Sequence, residues 1–487
     1  MGLPVFLFMT AFLALAVLTI SLGAAAFQNA GALPNWNWTA WGVGAAAAIY
    51  SLAKRNTRGR ALDRHTSFLL AAFLALAAFQ VCPLPTGLVG ILSPARYALL
   101  KATEPVLGPV PAWATLSAVP WLSLQSCVTL GSLALTFLLV RELTLRFREQ
   151  SRIWVAAWPL LIIGALEGAL GFYQAYAEGA GGFATGTYIN RDHYAALLEL
   201  ILPFAMLYPV AILQRDPHRQ ESPAGPALKA CGVLVFAAII LIGITHSLSR
   251  MAFLATLAST FVAGSIAVTL RNSQIAPRIK ITLWRRWLPA ALVAVVVALG
   301  FIFLPTDPLI GRFSELARTE DIGADTRAQI WRETTGLVKD YQLFGCGLGG
   351  YESVFMKYKT VAPMQTVDFA HNDYLQVLAE IGVFGFAAGA LFLFRILYSA
   401  IRETVYATSP DERYISIACL AALTAISLHS FTDFNMYRNA NALTVAWIAG
   451  IASTGLTRRR KTPTGRKGTI SSSEERGPQP VSTLVLL

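Results

Sequence analysis

The chain has 487 residues, of which 55% are hydrophobic and 14% are charged, and its mean hydropathy is +0.54. Because a soluble domain carries roughly 25% charged residues, this composition excludes an ordinary soluble enzyme and indicates a polytopic membrane protein. A net charge of +12 could indicate nucleic-acid binding in a soluble protein, but the distribution of the basic residues along this chain indicates otherwise. The five cysteines follow no pairing pattern, so neither a disulfide framework nor a zinc site is predicted.

Apolar runs of about 17 to 25 residues, the length that crosses a bilayer as a helix, predict an all-α fold with about twelve transmembrane helices. A signal peptide is the alternative for the first run, but the hydrophobic runs that follow favour a retained helix. The second run is short. The predicted spans are 4–26, 39–53, 67–83, 121–140, 153–173, 194–213, 229–246, 251–270, 287–304, 374–400, 414–430 and 437–456.

The basic residues between these spans indicate the orientation of the chain. With both termini in the cytoplasm, the inner loops and the C-terminal tail hold 27 of the 39 Lys and Arg residues. This excess is the positive-inside bias of membrane proteins. The basic charge is therefore explained by orientation and by contact with membrane lipids, and no nucleic-acid partner is predicted.

Three regions are predicted along the chain. Residues 1–150 form N-terminal transmembrane helices with a proline-rich outer segment near 84–120, where a re-entrant or interface-lying helix is expected. Residues 151–456 form a transmembrane core that includes a large outer loop, 305–373. Residues 457–487 are basic and rich in Ser, Pro and Gly, which predicts a disordered cytoplasmic tail.

Arginines on the outer side are unusual, because the orientation rule disfavours them there. Each one could simply contact a lipid headgroup. Arg250 differs, because it lies in a very short hairpin, THSLSRMAF, that keeps it at the membrane interface, where a cation is costly without an anionic partner. Since the guanidinium fork matches phosphate, several such arginines at one place would form a pyrophosphate site. Seven outer arginines are candidates for such a site: Arg191, Arg250, Arg312, Arg318, Arg327, Arg332 and Arg438.

The outer loop contains a segment with helical periodicity, ADTRAQIWRETTGLVKDYQLF. Asp325 or Thr326 is expected to cap this helix. Arg327 and Trp331 are four residues apart and share a face, which indicates either helix packing or a cation and an aromatic ring directed at one ligand. The predicted apolar face consists of Ile330, Trp331, Leu337, Val338 and Tyr341.

A glycine cluster follows this helix in the sequence FGCGLGGY. Its backbone N–H groups could bind a phosphate. The alternative is that the glycines only allow tight turns. The glycines are Gly345, Gly347, Gly349 and Gly350.

Three polar residues, His371, Asn372 and Asp373, stand directly before the span 374–400. Asn and Asp are common helix caps, so Asn372 and Asp373 either cap this helix or contact a ligand. Histidine is a poor cap, and its ordinary pKa lies close to neutral pH. His371 is therefore a candidate general base at the outer end of a span.

Two carboxyl groups are predicted inside spans. Glu380 lies seven residues after Asp373 and hence on nearly the same helix face, and Glu167 is followed seven residues later by Gln174. Intramembrane ionisable groups are functional candidates by default. The alternative is a hydrogen bond that only packs one helix against its surroundings.

The segment HNDYLQVLAEIGVFG resembles the signature of the O-antigen ligase and O-antigen polymerase family, in which a His-Asn pair opens a span that contains a Glu and two glycines. Further segments resemble the family in the same order between about residues 186 and 450: SLSRMA, DTRAQIW, FGCGLGGY and HSFTDFN. The chain departs from the family at Met251, where a Gly is usual. Residues 1–150 carry nothing diagnostic.

This resemblance implies a membrane glycosyltransferase of the C-type superfamily in the bacterial inner membrane. It implies an undecaprenyl-pyrophosphate-linked glycan as donor, a lipid or glycan hydroxyl as acceptor, and an inverting reaction on the periplasmic face without a metal or another cofactor. The chain also has no Asp-x-Asp motif. The family's two important arginines and its histidine correspond to Arg250, Arg327 and His371.

Other residues are expected to bind the substrate in such an enzyme. Arginines would neutralise the diphosphate, polar groups would bind the headgroup, and aromatic rings would stack on sugar faces. The expected substrate contacts are Arg191, Arg312, Asn372, Asp433, Arg438, Tyr188, Trp331 and Tyr351.

Three alternatives stay open on the sequence. A polymerase of the same family would extend the glycan on its own carrier, whereas a ligase would move it to another acceptor. A small-anion or inorganic-carbon transporter would use Glu167 and Glu380 along an ion path, although the chain shows no inverted repeat. An inactive scaffold is the third alternative.

Overall fold

The computed structural model describes residues 3–28, 36–53, 61–177, 183–215, 224–273, 322–360 and 366–456. These residues are mostly helical. A helix covers each predicted span except 287–304, which lies outside the described residues. The total of about twelve spans therefore stays a prediction.

The N-terminal half contains eight described helices and one two-stranded sheet. Its helices are α1 (Leu3–Ala26), α2 (Trp36–Ala53), α3 (Arg64–Phe79), α4 (Thr86–Leu92), α5 (Pro94–Leu107), α6 (Pro120–Glu149), α7 (Trp158–Ala177) and α8 (Arg191–Leu213). The strands β1 (Leu84–Pro85) and β2 (Trp113–Ala114) pair antiparallel. A short 3-10 helix spans Ile153–Ala156.

The C-terminal half continues with long helices around shorter ones. The described helices are α9 (Ala224–His246), α10 (Arg250–Ser273), α11 (Ile322–Asp340), α12 (Tyr351–Phe355), α13 (Asp373–Tyr406), α14 (Pro410–His429) and α15 (Asn439–Ala452). Short 3-10 helices lie at Asn435–Tyr437 and Ser453–Gly455.

Six helices among the described residues are long and apolar enough to cross a membrane. They are Met9–Ala26, Pro120–Glu149, Arg191–Leu213, Ala224–His246, Arg250–Ala267 and Asp373–Tyr406. Within Arg191–Leu213, 83% of the residues are buried. Helix α8 is therefore surrounded by other helices, and it packs against α7, α9, α10, α14 and α15.

Arginines at one end of the bundle are paired with carboxylates. This end, called the ion-paired end, is where α6, α8 and α13 finish and α14 begins, which corresponds to the predicted cytoplasmic side. The pairs are Arg148 with Glu403 (2.8 Å) and Glu412 (2.8 Å), Arg215 with Asp411 (2.9 Å), and Arg395 with Asp63 (3.1 Å).

The opposite end is called the site end. Four helices that pack against α14 begin there, namely α8, α10, α13 and α15, and α14 itself finishes there at His429. The chain therefore brings the first residues of several separate helices together.

The segment predicted near 84–120 folds as β1, α4, α5 and β2. Prolines begin its helices, with Pro85 at the N-cap of α4 and Pro94 as the first residue of α5. Apolar side chains nearby are strongly exposed, including Val106, Leu107 and Trp113. Such side chains, with tryptophan among them, suit a membrane interface.

Helix α13 is interrupted where a loop packs against it. Gly382 has φ +64° within the helix, and a Cβ on Gly382 would lie 2.4 Å from the Leu343 carbonyl. A Cβ on Gly345, which has φ +74°, would lie 2.2 Å from the Glu380 carbonyl. The freed carbonyl of Ala379 accepts a hydrogen bond from the Cys346 N–H (2.9 Å). Glycine is thus required where the two backbones touch.

The helix predicted in the outer loop is present, but its start was predicted wrongly. Helix α11 begins at Ile322, so Asp325 and Thr326 lie inside it and do not cap it. The predicted apolar face is confirmed: Ile330, Leu337 and Tyr341 are buried, and Trp331 and Val338 pack against the same cluster.

Candidate active site

His371 has an unusual backbone conformation that follows from the way α13 begins. The neighbouring Asn372 is extended and caps the helix, since its Oδ1 accepts hydrogen bonds from the N–H groups of Tyr374 (3.0 Å) and Leu375 (3.1 Å). His371 has φ +50°, a left-handed conformation that costs a residue with a Cβ about 1–3 kcal/mol. Capping is the alternative considered for Asn372, and a substrate contact by this residue stays a prediction.

Asp373 fastens the start of α13 to residues 430–438, here called the 430–438 turn. Its carboxylate accepts hydrogen bonds from the Ser430 hydroxyl (2.7 Å) and from the Met436 N–H (3.2 Å). Its own N–H donates to the Ser430 carbonyl (2.9 Å). These hydrogen bonds fix the position of the turn beside His371.

The His371 ring is held on one edge and accessible on the other. Its Nδ1 is buried, makes no hydrogen bond, and lies 3.8 Å from Oδ1 of Asp433. The ring also packs edge-on against Phe434, with centroids 4.9 Å apart. The side chain is still 32% exposed. Since Nδ1 is buried, the accessible surface belongs to the opposite edge, which carries Nε2.

Asp433 is buried behind His371 and is not available to a substrate, so the expectation of a direct substrate contact is corrected. It is 2% exposed, and it accepts a hydrogen bond from the Phe434 N–H (2.9 Å). Burial raises the pKa of this carboxyl, but the interactions with His193, His371 and His429 and the hydrogen bond from the Phe434 N–H outweigh burial and hold the pKa well below its usual range. Asp433 is therefore an anion next to His371.

Arg438 lies on an aromatic surface beside His371. Its guanidinium carbon is 5.3 Å from the Phe369 ring centroid and 4.7 Å from that of Phe434. These two rings stack on each other at 4.1 Å. The Arg438 Nε is buried without a hydrogen-bond partner. A cation held over ring faces keeps its charge without an ion pair, and Phe434 contacts both Arg438 and His371.

Helix α11 is attached next to the histidine. The Trp331 indole N–H donates a hydrogen bond of 2.9 Å to the carbonyl of Ala370, the residue before His371. Arg327 lies four residues earlier on the same helix face. Its position one turn from this contact is compatible with the predicted role, and the approach of its guanidinium to His371 stays a prediction.

The other outer arginines reach the site end through the helix starts. Arg191 is the first residue of α8, with its guanidinium 4.6 Å from the Phe183 ring, and Arg250 is the first residue of α10. Both helices pack against α14, which leads into the 430–438 turn. The approach of either guanidinium to His371 stays a prediction, and Arg312 lies outside the described residues.

Glu380 fixes two segments to α13. Its carboxylate accepts hydrogen bonds from the Gly349 N–H (2.8 Å), the Tyr437 hydroxyl (2.9 Å), the Gln376 amide (3.0 Å) and the Tyr351 N–H (3.3 Å). The glycine cluster is therefore bound through Gly349 to a carboxylate of its own chain. A buried carboxylate with this many donors is satisfied without a ligand.

Glu167 has an equivalent role before α8. Its carboxylate accepts hydrogen bonds from the Thr187 N–H (3.1 Å) and hydroxyl (2.6 Å). Gln174 accepts from the N–H groups of Thr185 (3.0 Å) and Gly186 (2.8 Å) and donates to the Gly186 carbonyl (2.8 Å). Both intramembrane acids thus hold loops at the site end, which is the packing alternative considered for them.

Two tyrosines expected to stack on sugars are buried instead. Tyr351 stacks on Phe355 at 4.9 Å, and its hydroxyl lies 2.7 Å from that of Thr334. Tyr188 is 4% exposed and donates a hydrogen bond of 3.1 Å to Asn441. Their ring faces are covered by the chain itself, so this expectation is corrected for both.

Sequence reasoning missed three contributors to the site: His193, Phe369 and Phe434. His193 lies 3.8 Å from Asp433, and the phenylalanines form the surface under Arg438. Each of them lies within two residues of a predicted site residue, in the segments NRDHYA, DFAHN and DFNMYR, and this proximity could have indicated them. Within the described part of the chain, no group of three or more His, Cys, Asp and Glu side chains could hold a metal ion.

The fold and the site define a polytopic helical membrane protein with a histidine and arginine centre at one end of its bundle. Residues 235–390 match the family model described as O-Antigen ligase. This match supports the O-antigen ligase and polymerase family, and it covers α10, α11 and the first half of α13 with His371. No curated protein matches the chain. Residues 235–390 are thus similar to an O-antigen ligase domain, and together with the apolar helices this match points to a bacterial membrane protein.

Proposed function

We propose that the protein transfers a glycan from an undecaprenyl-pyrophosphate donor to a hydroxyl acceptor on the periplasmic face of the inner membrane. The observation that carries this proposal is the position of His371. Its accessible ring lies beside the aromatic-bound Arg438 and next to the attachment point of α11, the helix of Arg327. This arrangement supports a general base beside a cation at one end of the bundle.

In the proposed reaction, His371 acts as general base. The acceptor hydroxyl gives its proton to Nε2 of His371, and the acceptor oxygen forms a bond to C1 of the donor sugar. The bond between C1 and the pyrophosphate oxygen breaks, and its electron pair leaves with the undecaprenyl pyrophosphate. A direct displacement of this kind inverts the configuration at C1.

The arginines would stabilise the leaving group. Negative charge grows on the diphosphate as the C1–O bond breaks, and fixed guanidinium groups in a partly dry site lower the energy of that state. Arg250 and Arg327 are the principal candidates, with Arg191, Arg312 and Arg438 as further cations. No metal is required in this scheme, because the guanidinium groups supply the positive charge.

The proposal is tested by His371→Ala and His371→Asn in cells that depend on this protein. Both variants should lower transfer by about 100-fold or more, and lipid-linked donor should accumulate while protein abundance stays unchanged. His65→Asn is the matched control, because His65 is an exposed histidine at the start of α3, far from the site end. Unchanged transfer in the His371 variants would remove the proposed role of the base.

Ligase and polymerase activities differ in where the product remains. A ligase leaves free undecaprenyl pyrophosphate and moves the glycan to another molecule, whereas a polymerase leaves a longer glycan on undecaprenyl pyrophosphate. We propose the ligase reaction. Mass spectrometry of the lipid-linked pool in cells that lack the protein should show complete glycans that await transfer. Single repeat units alone in that pool would identify the polymerase instead.

A further inference from the structure

His193 is a buried imidazole on α8 to which the proposed reaction assigns no task. We infer that His193, Asp433 and His371 form a His–Asp–His relay, in which Asp433 is a positioning residue for His371 and His193 regulates how strongly Asp433 acts on it. The effect of this relay on glycan transfer rests on the proposed function. Its geometry does not.

The relay is built around one carboxylate with a different histidine at each oxygen. Oδ1 of Asp433 lies 3.8 Å from Nδ1 of His371, and Oδ2 lies 3.8 Å from Nδ1 of His193. His193 and Asp433 are each 2% exposed, so the carboxylate is reached only through the two imidazoles and the surrounding protein. Phe434 lies against both rings, with centroids 4.9 Å from His371 and 4.6 Å from His193.

The hydrogen bonds of His193 define its tautomer. Its Nδ1 lies 3.0 Å from Oδ1 of Asn435, and the Asn441 amide donates to the same oxygen at 3.4 Å. Because an amide oxygen only accepts hydrogen bonds, Nδ1 of His193 carries a hydrogen. Its Nε2 is buried without a partner. A protonated His193 would bury a second N–H without an acceptor, which is unfavourable, so the neutral ring suits this position.

While His193 is neutral, His371 is the one of the two imidazoles that can become the cationic partner of Asp433. When His371 accepts the proton of the acceptor hydroxyl at Nε2, its Nδ1–H is directed at a buried anion, which stabilises the imidazolium and holds the ring in one orientation. The histidine–carboxylate pair of hydrolases works in this way. When His193 becomes protonated at low pH, two imidazolium ions compete for one carboxylate.

Other charged groups surround the relay on every neighbouring element. Glu199 on α8 and His429 on α14 contact each other, with 3.1 Å between Oε1 and Nδ1. The groups coupled electrostatically to the relay are Asp192 and Glu199 on α8, His429 on α14, Asp373 at the start of α13, and Arg438 at the end of the 430–438 turn. All of them stay in place in the variants proposed below.

The test measures the reactivity of His371 with diethyl pyrocarbonate, which acylates neutral imidazole. The full-length protein in lipid nanodiscs is modified over a range of pH, and each histidine is quantified by peptide mass spectrometry, with exposed His65 as internal reference. In Asp433→Asn, the pH of half-maximal His371 reactivity should fall by about 1 unit, because the charge that favours imidazolium is lost. In His193→Asn, which keeps a donor at the Nδ1 position, it should rise.

Opposite shifts in the two variants separate the relay from a general loosening of the site, which would move both in the same direction. Asp433→Glu keeps the charge and should shift the midpoint less than Asp433→Asn does. Midpoints that stay unchanged in both variants, or move together, would overturn the relay. If Asp433→Asn does not fold, the rise in His193→Asn decides by itself, and its absence overturns the relay.

Reactivity needs neither donor nor acceptor, so the relay and the proposed function fail separately. If the midpoints shift as expected but His371→Ala still transfers glycan, the proposed function is wrong and the relay stands. If His371→Ala abolishes transfer but the midpoints do not shift, the base stands and the relay is wrong. When both hold, glycan transfer by His193→Asn should be lost on acidification at a higher pH than transfer by the unaltered protein.

Discussion

At the scale of single residues, the site depends on a backbone conformation as much as on a side chain. His371 adopts φ +50° between Ala370, whose carbonyl is held by Trp331, and Asn372, which caps α13. These contacts impose the conformation from both sides. Strained residues of this kind persist only where the surrounding structure determines them, and they often occur at functional sites.

This strain predicts different stabilities for two variants of His371. Asn tolerates the left-handed region well, whereas a β-branched residue does not. We expect His371→Asn to melt close to the unaltered protein and His371→Val to lose about 1–2 kcal/mol of unfolding free energy. Thermal unfolding in detergent, followed by size-exclusion chromatography, measures the difference. Equal melting temperatures for the two variants would contradict the imposed conformation.

The sequence identified His371 through its residue type and place, but it could not separate ligand contacts from buried supports. Asn372, Asp433 and Tyr351 were all expected to touch substrate, and each is occupied by its own chain. Burial and partner choice depend on segments far away in the sequence, such as Thr334 for Tyr351. Composition and spacing do not contain that information, whereas helix capping by Asn372 was a recognised alternative.

At the scale of elements, hydropathy predicted the described helices well and their internal details poorly. The break in α13 at Gly382 depends on the backbone of residues 342–347, which packs into it and accepts or donates the hydrogen bonds that the helix gives up. A run of apolar residues looks the same with or without such a break. The two glycines in EIGVFG were noticed as a signature, but their physical cause is the close approach to another segment.

Replacing Gly382 by alanine should therefore disrupt this junction. A Cβ there would lie 2.4 Å from the Leu343 backbone at a positive φ, so the change should cost more than about 2 kcal/mol. Gly131→Ala is the matched control, because Gly131 lies within α6 and a Cβ there meets nothing within 4 Å. The control should be neutral or stabilising by up to about 1 kcal/mol. Equal melting temperatures in both variants would rule out the close approach.

At the scale of the whole molecule, the two ends of the bundle treat arginine differently. At the ion-paired end, Arg148, Arg215 and Arg395 contact carboxylates. At the site end, Arg191 and Arg438 lie against phenylalanine rings. Ring contacts hold a cation without neutralising it. Arg438 at the site end therefore has a setting that suits an anionic headgroup, whereas these three arginines at the other end contact carboxylates of the chain itself.

The orientation predicted from basic residues is testable with introduced cysteines. In a chain whose native cysteines are replaced by serine, Lys357→Cys should react with an impermeant maleimide in intact spheroplasts, because residue 357 is exposed near the site end. Thr408→Cys, exposed between α13 and α14 at the ion-paired end, should react only after permeabilisation. The reverse pattern would contradict the positive-inside assignment and the periplasmic position of the site.

The central claim is that arginines from separate segments gather beside His371 to bind a diphosphate. The most direct measurement is an electron cryo-microscopy structure of the full-length protein with undecaprenyl pyrophosphate in a lipid nanodisc. The claim predicts diphosphate density at the site end, in contact with the guanidinium groups of Arg250 and Arg327 and next to Nε2 of His371. Diphosphate density at another place, with these side chains directed into lipid or bulk water, would contradict it.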